Sequence, residues 1–474
     1  MKVLLAGYNI DSSLINSLKS NTATPEVISA AYARISRSTK SADALRLEAL
    51  GEIDKARSSN SRIIFEMGHA SVAEHAVFNI DIVGISRYLT ELVQRSRLAS
   101  FTEKSQRYVT FTRDYIVPSE LSKYPKLKKA YKASVDPLFE EYESSYKLLL
   151  EHYRKTSPKL GVKDREALAK EDARYILPLA TKTQMGLTIN ARSLEALLRR
   201  LAKSPLAEAQ QLKDELYAVV QPVTPSLIRH FEPDGFSGAV NLEKVGFTGF
   251  MQQELPWVEA LDLETKLRLV HKPTNPDDTI LAAIIYQQGE LNYETNLDTV
   301  SKLPKAIKRQ LWNQVFTHLK PWHKLPRAFE MAEFGFEITM SESCWAQFKR
   351  HRFCTTIRKG SAPTTPKFPD IIRQIKRTGR WEVLCEAAQN WGYNLHPDLN
   401  FLAPYTRLNA SVMTVYVKMN LREIYHFVRL RADEHAQWEI REIAREMVRI
   451  VRNLAPQAAA WLCGKSEFNG VNSL

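Results

Sequence analysis

Apolar and polar residues alternate through AVFNIDIVG (76–84), the pattern of a half-buried strand. The next stretch, ISRYLTELVQRSR (85–97), changes to helical spacing, and Ser86 stands where a helix cap is needed. The same change recurs at KTQMGLTIN (182–190) and ARSLEALLRRLA, which predict a strand and then a helix. Between them, residues 122–175 carry Leu, Tyr, Lys and Glu at the spacing of a solvated amphipathic helix pair. The N-terminal MKVLLAGYNID reads as a buried strand, its apolar run being too short for a signal peptide.

The second half repeats the pattern. FGFEITM (334–340) predicts a strand and ESCWAQFKRHR a helix. SVMTVYVKMN (411–420), rich in β-branched residues, predicts another strand. One long helix is expected over 421–455, with Ile424, Phe427, Val428 and Leu430 on its apolar stripe. RSRLASFTEKSQRY (95–108) is answered by RHRFCTTIRKGSAP (350–363), and TINARSLEALLRRLA (188–202) by KMNLREIYHFVRLRA (418–432), in the same order. Two such pairs mark a tandem duplication. The expected fold is α+β, with two copies that each pack a small, largely antiparallel sheet against helices. The first copy spans 1–231 and the second 276–474. The glycine-rich 232–250 and the proline-bearing 271–278 place a linker at 232–275, with one short helix around ALDLETKLRL. SAPTTPKFPD (361–370), with three prolines, predicts an ordered loop or extended segment.

Composition narrows the classes. With 44% hydrophobic and 25% charged residues, the 474-residue chain reads as soluble and globular, and no apolar run reaches membrane-spanning length, so the expected location is cytoplasmic. The net charge of +13 favours anionic partners. Nucleic acid is disfavoured, because no RNP motif, zinc finger or long basic block is present and the arginines gather in the repeated segments. The four cysteines have no CxxC spacing and read as reduced core residues. HASVAEH (69–75) does not set two histidines on one helical face, so no metal site is expected.

Two constellations carry chemistry. On a helix, Gln347, Arg350 and His351 would share one face with Arg352 pointing elsewhere, and the two guanidiniums with the imidazole at this helix end suit a diphosphate; a solvated basic helix end is the alternative. Glu103, Lys104, Ser105, Gln106 and Arg107 form a loop-like run of carboxylate, hydroxyl, amide and guanidinium, the inventory for one phosphate and one sugar hydroxyl, with a polar turn as the alternative.

GHASVAEH, RSRLASFTEKSQRY, ARYILPLATKTQMGLTINARSL, the RHR of the second copy and MNLREIYHFVRLRADEHAQWEIREIA together resemble the flavin-dependent thymidylate synthases. The resemblance implies a tetrameric arrangement with active sites at subunit interfaces, FAD as cofactor, and NADPH and methylenetetrahydrofolate as co-substrates for methylation of dUMP. For two-copy chains, that tetramer becomes a homodimer. It further implies that Gln347, Arg350, Arg431, Arg174 and the run Glu103–Arg107 contact dUMP, with Arg431 offsetting charge on the uracil ring. FAD is expected at His69, Ser71, Glu103, Arg350, His351, Arg352, Asn190, Arg192, Asn420, Arg422 and His426.

The copies depart from the family pattern in complementary ways. The first has Leu92, Ser96, Ala196 and Leu201 where the second has Gln347, His351, His426 and Arg431. The second has Arg358, Gly360, Ala362 and Asn400 where the first has Glu103, Ser105, Arg107 and Arg174, and Leu325 and Arg327 where the first has His69 and Ser71. One composite site per pair of copies is therefore expected to be complete and its reciprocal lost. Two other readings stay open: a flavoprotein acting on a different pyrimidine nucleotide, and a non-catalytic nucleotide or nucleic-acid binder.

Overall fold

The computed structural model describes residues 1–11, 24–35, 38–233, 267–360 and 365–470. The chain divides into two compact units. One comprises Met1–Asn241 with Phe368–Asn409, the other Leu242–Lys367 with Ala410–Leu474.

In the first unit four strands form an antiparallel sheet: β1 (Lys2–Tyr8), β2 (Val77–Ser86), β3 (Ala99–Glu103) and β4 (Lys182–Asn190), in the order β1-β2-β4-β3. Alternation sends Phe78, Ile80, Ile82, Met185, Leu187 and Ile189 inward. A bulge between Val83 and Ile85 puts Gly84 at φ 78°, a left-handed conformation that glycine adopts freely, and brings Ile85 inward beside Ile82. Helix Ala191–Ala202 covers this face with Leu194, Leu197, Leu198 and Leu201, all fully buried. The expected N-terminal strand exists, but it is an edge strand rather than a buried one: Val3 is buried and Leu4 is 42% exposed. The helix pair expected over 122–175 is Pro125–Thr156 and Val162–Ala173.

The segment Phe368–Asn409 completes this unit although it belongs to the second half of the sequence. The Trp381 indole N–H donates to Glu141 (3.2 Å) and Ser145 (3.0 Å) of the long helix Pro125–Thr156. The Tyr405 hydroxyl donates to the buried Glu208 carboxylate at 2.6 Å. Leu408 bridges to Pro178.

The second unit repeats the sheet, with β5 (Leu267–His271), β6 (Glu333–Ser341), β7 (Thr355–Arg358) and β8 (Val412–Asn420) in the order β5-β6-β8-β7. Phe334, Phe336, Ile338, Met413, Val415, Val417 and Met419 are its inward residues. Gly335 is required by close packing, since a Cβ there would lie 2.5 Å from the Tyr416 hydroxyl and 2.8 Å from His271 Cβ.

Three expectations change here. β5 falls inside the segment read as linker, so the second sheet starts before residue 276; of the short helix expected there, residues 267–269 are strand. The rest of that helix, most of the linker (234–266) and residues 361–364 of the proline-rich loop lie outside the described residues. The single helix over 421–455 is two, Leu421–Arg431 and Trp438–Leu454. The break joins near and distant contacts: the Asp433 carboxylate accepts from the amides of His435 (3.1 Å) and of Ser466 (2.9 Å), far along the chain, and the Gln437 side chain caps the next helix. Ile424, Phe427 and Val428 are buried as expected, whereas Leu430 is 46% exposed, one step off the apolar face. Among the described residues no helix is long and apolar enough to cross a membrane.

Candidate active site

The loop after β3 is organised by buried polar contacts. Arg87, the first residue of helix Arg87–Gln94, pairs with Glu103 at 3.0 Å. Gln94 Nε2 donates to the other oxygen of Glu103 at 2.9 Å. Ser86 caps that helix as expected, but the helix ends at Gln94, before Arg95 and Arg97. The Ser105 hydroxyl accepts from the Arg107 amide (3.2 Å), which shapes the turn, and Lys104 Nζ sits 4.7 Å from the Phe111 ring centre. Arg107 Nε donates to the Glu171 carboxylate, and Arg174 Nε to the Glu171 carbonyl at 3.2 Å. Glu103, Lys104 and Ser105 also line an open depression of about 540 Å³ with Asp81, Gln184 and Met185.

Two donors in this cluster are unmatched. Arg174 is 4% exposed and its Nη2 has no hydrogen-bond partner among the described residues; Gln106 is 6% exposed and its Nε2 is likewise unpartnered there. Burial pushes the Arg174 pKa down, although Glu171 beside it works the other way. A buried guanidinium with an idle N–H is costly unless an anion meets it.

The second unit holds the other cluster. Arg431 Nε donates to His351 Nε2 at 3.0 Å, and its Nη2 to the Gln347 carbonyl at 3.4 Å. His351 is buried, with Nδ1 3.7 Å from the Glu423 carboxylate and its ring 5.6 Å from that of His426. Burial, followed by the charges of Arg431, His426 and Arg350, holds its pKa well below the usual imidazole value. Gln347 is 5% exposed, and neither end of its side-chain amide has a partner among the described residues. The single helical face expected for Gln347, Arg350 and His351 is not what joins them. Helix Glu342–Phe348 ends first, leaving Arg350, His351 and Arg352 in the following turn, and Arg431 ties Gln347 to His351 instead. Cys354 is buried, and its thiol donates to the His351 carbonyl at 2.7 Å.

The repeated Asn-x-Arg residues carry structural duties in both units. Asn190 and Asn420 cap the helices that follow them, accepting from Ser193 (2.8 Å) and Glu423 (2.9 Å). Arg192 pairs with Glu74 at 2.5 Å, and Arg422 with Glu330 at 3.0 Å. His69 stands at the N-cap of the short helix Ala70–His75, and both it and Ser71 are exposed, as are Arg350 and His426.

Three features escaped the sequence reading. Asn409 joins Arg87, Gln106 and Arg174 through hydrogen bonds of 3.2, 2.9 and 2.9 Å. No local pattern announces it. The second is the Arg87–Glu103 pair, which the repeat did encode. At the corresponding positions the second unit has Glu342 and Arg358, which also pair, with the charges exchanged. Arg358 therefore keeps the anchoring contact of this loop while reversing its charge. The third is Arg200. Leu201, at Arg431's place in the repeat, is fully buried, yet Arg200 donates to the Leu92 carbonyl (2.7 Å) and the Ser96 hydroxyl (3.3 Å). Those are the repeat positions of Gln347 and His351, so a guanidinium reaches the same place from one residue earlier. Burial pushes its pKa down to about 10.

The profile of the thymidylate synthase complementing protein family matches residues 17–226 and 268–457. A UPF0159 protein of Thermoplasma acidophilum is 22% identical over 452 residues, 84% of this chain and 86% of that protein. The flavin-dependent thymidylate synthase of Clostridium tetani is 32% identical over 178 residues, 37% of this chain and 71% of that protein. That of Geobacter sulfurreducens is 30% identical over 225 residues, 47% of this chain and 88% of that protein. Among solved structures, the flavin-dependent thymidylate synthase of Helicobacter pylori complexed with FAD and dUMP is similar at a TM-score of 0.32 and 20% identity, covering 48% of this chain and 100% of that one. The profile matches most of each half, and the chain belongs to the thymidylate synthase complementing protein family, the family of the flavin-dependent thymidylate synthases.

Proposed function

We propose that the chain methylates dUMP reductively to dTMP, taking the carbon from methylenetetrahydrofolate, at one composite site per pair of copies. The first copy contributes Glu103–Arg107 and Arg174; the second contributes Gln347, Arg350 and Arg431. A dimer of two-copy chains then carries two such sites. FAD, reduced by NADPH, supplies the hydride when bound. The donor set suits it: Arg350 and His426 are exposed beside the buried His351, and a dinucleotide diphosphate accepts hydrogen bonds from guanidinium and imidazole N–H groups.

The observation that carries the reading is the unmatched Nη2 of buried Arg174 beside the unmatched Nε2 of Gln106. Two such donors near Arg107 suit a nucleotide phosphate, to which charge-assisted hydrogen bonds are strong. Gln347 offers an idle amide, and an amide's adjacent donor and acceptor match the N3–H and carbonyl edge of uracil. Arg431, aimed by His351, places fixed positive charge where the ring becomes anionic. Glu103 is held by Arg87 and Gln94, so its carboxylate can accept from a ribose hydroxyl without reorganising.

The experiment is purification of the intact chain with its flavin, bleaching by NADPH without oxygen, and reoxidation on adding dUMP with methylenetetrahydrofolate. Production of dTMP in step with reoxidation supports the reading. A chain that binds flavin but ignores dUMP, or that responds equally to UMP and dCMP, overturns the assigned substrate. A colourless chain that cannot be reconstituted overturns the enzyme.

A further inference from the structure

We infer that Asn409 is a positioning residue for phosphate recognition: it fixes the orientation of the Gln106 amide so that this side chain meets the nucleotide with its N–H. The inference rests on the reading of Gln106 and Arg174 as phosphate ligands and adds to it a residue from the other half of the sequence.

Asn409 is fully buried. Its backbone N–H donates to the Leu177 carbonyl at 2.9 Å, so its side chain has a fixed origin. Arg87 Nε can only donate, and it lies 3.2 Å from one end of the Asn409 amide. That end must therefore be the oxygen, Oδ1. The other end is then Nδ2, with two hydrogens to give. It gives one to the Arg174 carbonyl and one to the Gln106 amide, each at 2.9 Å. A carbonyl can only accept, which independently confirms the assignment of Nδ2. The Gln106 group facing Asn409 must then be Oε1. What Gln106 has left is Nε2, the buried donor for which the described residues offer no acceptor.

The polarity of each amide thus follows from a guanidinium at one end and a carbonyl at the other. Arg87 is itself held by Glu103, so the chain of orientation runs from Glu103 through Arg87 and Asn409 to Gln106. A glutamine free to turn could face a phosphate with its oxygen, which an anion repels, and would lose that freedom on binding. Asn409 removes that alternative. It is supplied by Phe368–Asn409, the second-half segment that folds into the first unit, and it is the last residue of that segment.

The test uses the full-length chain and compares dUMP with deoxyuridine, which lacks the phosphate. In wild type dUMP should bind far more tightly than deoxyuridine. Asn409→Asp replaces the donor Nδ2 by an acceptor, which would turn Gln106 round and direct its oxygen at the phosphate. It should weaken dUMP about tenfold or more while leaving deoxyuridine within about twofold; the carboxylate charge it adds would also repel the phosphate, and the double variant with Gln106→Glu separates that effect from the turning of Gln106. A merely structural role would weaken both ligands together.

Should Asn409→Asp fail to fold, Gln106→Glu serves in its place. It keeps an acceptor for Asn409 Nδ2 and replaces the outward donor by a charged acceptor, and it should likewise abolish the preference for dUMP. In the Gln106→Glu background, Asn409→Asp should cause little further loss of that preference. If Asn409→Asp retains the wild-type preference for dUMP, or loses affinity for both ligands equally, the inference is overturned while the site reading stands; if Gln106→Glu retains that preference, Gln106 is no phosphate ligand and the inference falls together with that part of the site reading. If wild type binds dUMP no better than deoxyuridine, the reading of the phosphate site falls, and this inference with it.

Discussion

Arg431 Nε lies 3.0 Å from His351 Nε2, which makes that imidazole nitrogen an acceptor. A guanidinium has no lone pair to offer, so the ring must be neutral at Nε2 and carry its proton on Nδ1, toward Glu423. His351 thus acts as an oriented prop for Arg431 rather than as a cation.

Arg431→Ala should leave flavin bound and remove dUMP-dependent flavin oxidation, with a fall in kcat of about 10²–10³ if Arg431 stabilises charge on the ring. Arg431→Lys should recover little, since a lysine cannot hold both His351 Nε2 and the Gln347 carbonyl in the same geometry. Stopped-flow reoxidation of the reduced flavin measures both. Turnover at the wild-type rate in Arg431→Ala would rule the role out.

The His351 pKa is depressed in the folded chain, and the sign of the resulting pH effect is fixed by that direction. Below about pH 6.5 the unfolded histidine takes up a proton that the folded one refuses, so stability is lost as pH falls through that value, by up to about 1.4 kcal/mol per pH unit from this group. Urea titrations of wild type and His351→Asn between pH 5 and 8 should show a shallower acid loss in the variant. Nitrogen-15 shifts of His351 at pH 6 should show a neutral ring protonated at Nδ1.

Asp172 behaves oppositely. Burial, aided by Glu171 next to it, pushes its pKa up to about 7, against the hydrogen bond that it accepts from Tyr153 at 2.6 Å. Between about pH 4 and 7 the folded carboxyl keeps a proton that the unfolded one has released, so its stabilising effect is greatest at low pH and is lost as pH rises through 7. Asp172→Asn should raise the thermal midpoint at pH 8 and change it little at pH 5. An equal shift at both values would show that the carboxyl is already ionised throughout.

The buried Glu208 accepts from the Ser86 amide (2.6 Å), the Ser86 hydroxyl (2.7 Å) and Tyr405 (2.6 Å). Tyr405→Phe removes the one bond that comes from the Phe368–Asn409 segment. It should cost about 1.5–3 kcal/mol of stability, the usual range for a hydrogen bond to a charged group. Limited proteolysis should then cut within 368–409 sooner than in wild type.

Much of this protein was written in the order of its residues. The duplication, both sheets' central strands, the Ser86 cap and the α+β class follow from local periodicity and from comparing one half with the other, because backbone geometry imposes the same spacing wherever a strand or capped helix forms. The charge exchange between Arg87–Glu103 and Glu342–Arg358 was legible in the same comparison, as two reversals that compensate. Local pattern failed where the decision was made at a distance. The helix after Arg431 stops because Asp433 meets Ser466, and β5 forms because β6 offers it a hydrogen-bonding edge. Asn409 is the clearest instance: it becomes part of the first unit's buried polar cluster only because the chain between Phe368 and Asn409 folds there, and a buried hydrogen-bond network depends on proximity in space, which residue order alone does not specify.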